Sequence, residues 1–155
     1  SEQTPLKYKY TNDILQIELD RIYKNNEKYT VYIQYVSKPN ELKQPGGSDA
    51  ITDDKGLYFI DPLAEDAEKP TQIWTQGETQ SSSVWFPTID RPNERMTQEV
   101  CMTVEKKYIT LSNGELAFSI ENADSTRTDC WKMNQAHAPY LVMMAVGEFA
   151  VIHDT

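Results

Sequence analysis

The sequence predicts an all-β fold of mostly antiparallel sheets, and two observations carry that reading. Apolar and polar residues alternate with a period of two along the chain, and the spacing that would place apolar residues on one face of a helix is almost absent. With 155 residues, the chain has the size of one ordinary domain, 1–155, able to bury a core without metals or cross-links.

The elements follow in order. Lys7-Tyr8-Lys9-Tyr10 reads as a strand. From Ile14 to Leu19, residues Leu15, Ile17 and Leu19 share one face and Gln16 and Glu18 the other, as a strand with one wet side requires. Tyr29 to Val36 is aromatic and β-branched throughout, which predicts an interior strand covered on both faces. These last two segments are expected to pair through the polar turn at Asn25 and Asn26. Ser37 to Gly56 holds Pro39, Pro45, Gly46 and Gly47 among charges and predicts an irregular excursion. A second polar excursion, Asp61 to Pro70, leads into a strand over Gln72 to Glu78, and Val84-Trp85-Phe86-Pro87 follows Ser81 to Ser83. Val100, Met102 and Val104 share one strand face, with Cys101 on the other. Tyr108 to Leu111 reaches the hairpin signal Asn113-Gly114, and Glu115 to Ile120, Arg127 to Met133 and Tyr140 to Phe149 complete about ten strands. Trp131 and Met133 fall on one face as core residues, and Cys130 lies opposite them with Thr128 and Lys132. Cys101 and Cys130 can bond if their strands are neighbours and are otherwise free thiols.

Composition excludes several partners. Twenty-four acidic against fifteen basic residues give a net charge of -9, which repels phosphate backbones and anionic lipid surfaces, so no nucleic acid is expected. No apolar run has the length to span a bilayer. Ser1 to Leu6 lacks the features of a secretory signal, so the compartment must be inferred otherwise. The chain opens almost at once on a strand and stops soon after Val151 and Ile152, which reads as a piece of a larger protein whose sheet edges other parts cover.

No complete catalytic centre emerges. His137 and His153 are far apart, neither sits in an H-E-x-x-H pattern, and two cysteines are too few to build a zinc site with them. Ser112, His137 and a carboxylate could be combined on paper, but no G-x-S-x-G elbow supports them. Gly46-Gly47 lacks the lysine and strand-to-helix context of a phosphate loop. The informative stretch is Gln72 to Glu78, where an extended strand projects Gln72, Trp74, Gln76 and Glu78 to one side. Gly77 permits a bulge or the close approach of another backbone or ligand. A carboxylate beside an amide on a stiff strand suits a primary ammonium, the glutamate supplying charge and the glutamine a neutral acceptor. The same two residues also fit an ordinary solvent-facing strand.

Trp74-Thr75-Gln76-Gly77-Glu78, then Trp85-Phe86-Pro87, then Asp90-Arg91-Pro92-Asn93, closely resembles the amino-terminal domain of M1 family zinc aminopeptidases. Leu111-Ser112-Asn113-Gly114 and His137-Ala138-Pro139-Tyr140-Leu141, leading to Val146-Gly147-Glu148-Phe149, extend the resemblance from about Gly56 to Ala150. It implies a saddle-like β domain packed on a thermolysin-like catalytic domain, with a Gln-x-Glu element reaching the active site. Gln76 and Glu78 hold those positions, which implies that Glu78, supported by Gln76, binds the α-amino group of a peptide substrate. The family's G-x-M-E-N segment and its H-E-x-x-H zinc motif do not occur in this sequence. The resemblance therefore implies zinc in a catalytic domain outside it, none bound by this chain, and no activity from this piece alone. It leaves a parent exported to a cell envelope as the expectation for localisation. Gly77 stands where some relatives carry a side chain, and Thr88 where cysteine often follows the proline; neither removes a charged group. Trp85-Phe86-Pro87 and Asp90-Arg91-Pro92 read as scaffold, an aromatic core and a turn in which Asp90 accepts backbone hydrogen bonds. The alternative reading is a stand-alone β-sandwich binding module for carbohydrate or a protein partner, suggested by Trp74, Trp85 and the tyrosines.

Overall fold

Turn chemistry at Asn12 and Asp13 folds the start of the chain into a hairpin. The computed structural model describes residues 4–41, 46–48 and 51–152 and divides the chain into two units, Ser1–Val36 and Ser37–Thr155. In the first unit, β1 (Lys7–Thr11) pairs antiparallel with β2 (Ile14–Glu18), Thr11 facing Ile14 and Lys7 facing Glu18. Asn12 and Asp13 have φ of 52° and 61°, the paired left-handed conformation of a tight hairpin turn. Asp13→Val should therefore cost about 1–2 kcal/mol of hairpin stability, because a β-branched side chain is poorly tolerated there. Faster amide exchange across Lys7–Thr11 is the readout, and unchanged protection would contradict it.

The expected pairing of Ile14–Leu19 with Tyr29–Val36 does not occur. Glu27 instead closes a local knot: its carboxylate accepts from the Lys24 amide at 2.8 Å and pairs with Arg21 at 3.0 Å, and Arg21 lies over the Tyr23 ring. Residues 29–36 form no strand, and Tyr32 and Val36 are exposed. High strand propensity makes no ladder unless a neighbouring backbone supplies the hydrogen bonds.

The second unit begins with a 3-10 turn at Pro39–Glu41 and a short pair, β3 (Gly46–Ser48) with β4 (Ile51–Asp54), inside the stretch read as irregular. Residues 42–45 and 49–50 of that stretch lie outside the described residues. Seven strands then build two antiparallel sheets: β5 (Leu57–Ile60), β6 (Gln72–Thr75), β7 (Met96–Glu105), β8 (Ile109–Ser112), β9 (Glu115–Glu121), β10 (Thr126–His137) and β11 (Met144–Gly147). One sheet runs β5-β6-β11-β8 and the other β7-β10-β9. The fold is all-β, as the alternation requires. On β7 the parity holds throughout, with Met102 buried and Cys101 and Thr103 exposed.

Asn113-Gly114 is not a hairpin. β8 joins β11 and β9 joins β10, so the chain changes sheets at this corner. Gly114 has φ +90°, and a β-carbon there would collide with the Lys132 carbonyl oxygen of β10. Asn113 Oδ1 accepts from the Met143 amide at 2.8 Å and from Gln98 Nε2 at 3.1 Å, tying both sheets to the corner.

Between the sheets lies a polar tie. Asp129 of β10, 4% exposed, accepts from Thr110 Oγ1 of β8 at 2.7 Å, from Ser119 Oγ of β9 at 2.6 Å, and from Arg127 Nε at 2.9 Å. Arg127 Nη2 also donates to the Tyr108 carbonyl at 2.8 Å, and Trp131 Nε1 to Thr110 Oγ1 at 3.0 Å. The apolar core nearby gathers Leu57, Trp85 and Val142, with Ile73, Phe86, Met96 and Met144 packed against them. Trp85 is thus the scaffold aromatic expected. Asp90 accepts a backbone hydrogen bond, but from the Ser83 amide of the preceding Ser82–Val84 turn at 2.9 Å rather than within its own turn. Cys101 and Cys130 face one another across β7 and β10 and form a disulfide, their Cα atoms 4.0 Å apart.

Candidate functional site

The strand expected over Gln72–Glu78 ends sooner. Its ladder stops at Thr75, where Thr75 Oγ1 accepts from the Met144 amide at 3.0 Å. The Gln76 amide then donates to the Gly56 carbonyl at 3.0 Å, and the Gly77 carbonyl accepts from the Ser81 amide at 3.0 Å. Gln76 and Glu78 therefore sit on the segment leaving the sheet rather than on the strand itself. The partner strand β11 begins at Met144, so on that side the ladder has nothing to pair with beyond Thr75. Gly77 passes so close to the Pro139–Leu141 turn that a β-carbon would lie 2.5 Å from the Tyr140 carbonyl oxygen and 2.6 Å from Ser82 Oγ. The sequence anticipates that close approach in the bare glycine, although it does not say which backbone makes it.

Gln76 is half-buried and Glu78 is exposed. Neither side chain has a hydrogen-bond or ion-pair partner among the described residues, so the carboxylate is not spent in a private pair. One step back along the chain, Trp74 stacks on Tyr58 of β5, ring centroids 4.3 Å apart and 12° from parallel. Ala145 and Leu111 continue that row across the sheet, and Leu111, like Trp74, is exposed. The arrangement offers one unpaired anion and one amide at the end of a braced strand, beside an apolar, partly aromatic row. Such a pair accepts hydrogen bonds from an ammonium group.

Among the described residues no three His, Cys, Asp or Glu side chains converge to hold an ion, and both cysteines are bonded to each other. His137 closes β10, buried, with neither ring nitrogen partnered among the described residues. His153 lies outside the described residues. Ser112 Oγ donates to the Met143 carbonyl at 2.6 Å, a bond to backbone and not to a base. What sequence reading missed here is Ser82, wholly buried, whose hydroxyl donates to the Pro139 carbonyl at 2.8 Å. Three consecutive serines after a polar turn gave no sign of it.

The chain is 29% identical over 127 residues to transcription initiation factor TFIID subunit 2 of Danio rerio, covering 80% of this chain and 10% of that protein. To the same subunit of Gallus gallus it is 28% identical over 116 residues, covering 73% of this chain and 9% of that protein. The chain thus spans about a tenth of the length of these curated relatives. Among solved structures, the M1 zinc metallopeptidase of Deinococcus radiodurans superposes with a TM-score of 0.61 at 14% identity, over 92% of this chain and 29% of that one. That likeness speaks for the fold alone. The family model of the Peptidase M1 N-terminal domain matches residues 1–141, and the chain accordingly belongs to the Peptidase M1 N-terminal domain family.

Proposed function

We propose that this domain serves an M1 zinc aminopeptidase by binding the free α-amino group of a peptide substrate, with Glu78 as the anionic partner and Gln76 in support. The observation that carries the reading is the exposed Glu78 carboxylate, without a partner among the described residues, on the segment that leaves β6, in a chain of this family. A fixed anion at that point ranks substrates by their positive terminus and so restricts cleavage to the first residue. The zinc and the groups that cut the peptide bond belong, in this reading, to a catalytic domain outside this sequence, and the present chain alone is inactive. The row Tyr58, Trp74, Ala145 and Leu111 offers that domain an apolar surface beside the ledge.

In the full-length protein that carries this domain, Glu78→Ala should lower kcat/KM for aminoacyl substrates about ten- to hundredfold, the range expected for one lost charge-assisted hydrogen bond. Wild-type kinetics in that variant would refute the role. A second reading is favoured by the curated relatives, which are subunits of a transcription factor: the domain would then be a docking scaffold with no substrate. Zinc content and peptidase activity of the full-length protein separate the two, since a scaffold predicts neither.

A further inference from the structure

We propose that Gly77 and Ser82 are positioning residues that set where the Glu78 carboxylate stands, by letting the end of β6 lie directly on the Pro139–Tyr140 backbone. The inference rests on the amine-binding reading of Glu78 and adds to it the parts that hold the carboxylate in place. Three contacts define the clamp. On one side the Gln76 amide is fixed to the Gly56 carbonyl at 3.0 Å, and Gly56 itself, at φ +67°, leaves no room for a β-carbon because the Ser81 carbonyl oxygen occupies that space. On the other side Gly77 sits against the Tyr140 backbone, at the separation a side chain would forbid. Beneath, the wholly buried Ser82 hydroxyl donates to the Pro139 carbonyl and so ties the turn after Glu78 to the turn that Gly77 touches.

A side chain at Gly77 must push the segment away from Tyr140, since two of its three nearest obstacles are backbone atoms that cannot rotate aside. The displacement falls on the residue next in sequence, Glu78. Removing the Ser82 hydroxyl loosens the same joint by a different route, because the buried Pro139 carbonyl then loses its donor. Charge-assisted recognition depends steeply on placement, so a shift of about an ångström weakens it severely.

The test compares kcat/KM for an alanyl anilide with that for the propionyl anilide, which lacks only the amino group, in the full-length protein. This ratio isolates amine recognition and is insensitive to how much of a sample is folded. Gly77→Ala and Ser82→Ala are each expected to lower the ratio at least fivefold while leaving propionyl anilide turnover per folded molecule near wild type. Ser82→Ala introduces no overlap and keeps the test open if Gly77→Ala fails to fold. If Glu78→Ala collapses the ratio but Ser82→Ala and any folded Gly77→Ala leave it at the wild-type value, the positioning role is overturned and amine binding survives. If Glu78→Ala itself leaves the ratio unchanged, the underlying reading is what fails.

Discussion

Replacing Asp129 by alanine is expected to cost about 3–5 kcal/mol of folding stability, the range for removing one partner of a buried ion pair. The carboxylate is the meeting point of β8, β9 and β10: Thr110, Ser119 and Arg127 all donate to it, and Trp131 reaches the same network through Thr110. Without it the Arg127 guanidinium, its side chain 23% exposed, loses its hydrogen-bonded counter-ion, and two hydroxyls between the sheets lose an acceptor. A shift of the urea midpoint measures the loss, and a change below about 1 kcal/mol would show that the tie is not what couples the sheets. Acidity supplies an independent check. Desolvation by burial opposes the charged form, but the hydrogen bonds from Arg127, Ser119 and Thr110 outweigh it and hold the group below its ordinary pKa of 3.8. A depressed folded-state pKa means that the stabilisation is fully present above the unfolded carboxylate range, near 3.9, and is lost as pH falls through the folded value below it. Asp129→Asn should therefore flatten the stability profile below about pH 4 relative to wild type.

The second large effect belongs to Gly114. Gly114→Ala is expected to cost about 2–5 kcal/mol, summing the strain of a side chain at positive φ with the overlap against the β10 backbone. Because the obstacle is the Lys132 carbonyl rather than a mobile side chain, relaxation has to move a strand. Thermal unfolding reads the loss directly, and a variant within about 1 kcal/mol of wild type would mean that the corner has room to open.

Gly114 also shows what the sequence could and could not disclose. Asn-Gly between two alternating runs correctly announces a positive φ, at Gly114, but the hairpin it suggests does not form, and nothing local states which sheet each run joins. That choice is made by distant residues, Met143 and Gln98, which bond Asn113. The parity of β7 was legible because burial of one face imposes it residue by residue, whereas on β10 Asp129 and Cys130 are buried in succession, Trp131 and Met133, expected in the core, are only half-buried, and the register to β9 shifts between Cys130 and Trp131. Tyr29–Val36 misled for the converse reason: its composition is that of a central strand, and composition cannot supply a partner. Asp129 was not singled out, although a charged pair at 127 and 129 sharing the face of Trp131 was a signal of a buried tie. At the ledge, residue types were readable from a five-residue motif, whereas the early end of β6 follows the start of its partner β11 at Met144, far along the chain.

The bond between Cys101 and Cys130 closes a covalent ring whose two ends are 29 positions apart. Within that ring lie β8, which is laced into the four-stranded sheet, and β9, which edges the three-stranded one. A single proteolytic nick anywhere between the two cysteines would thus release no fragment until a reductant was added. The two halves would migrate as one species on a non-reducing gel.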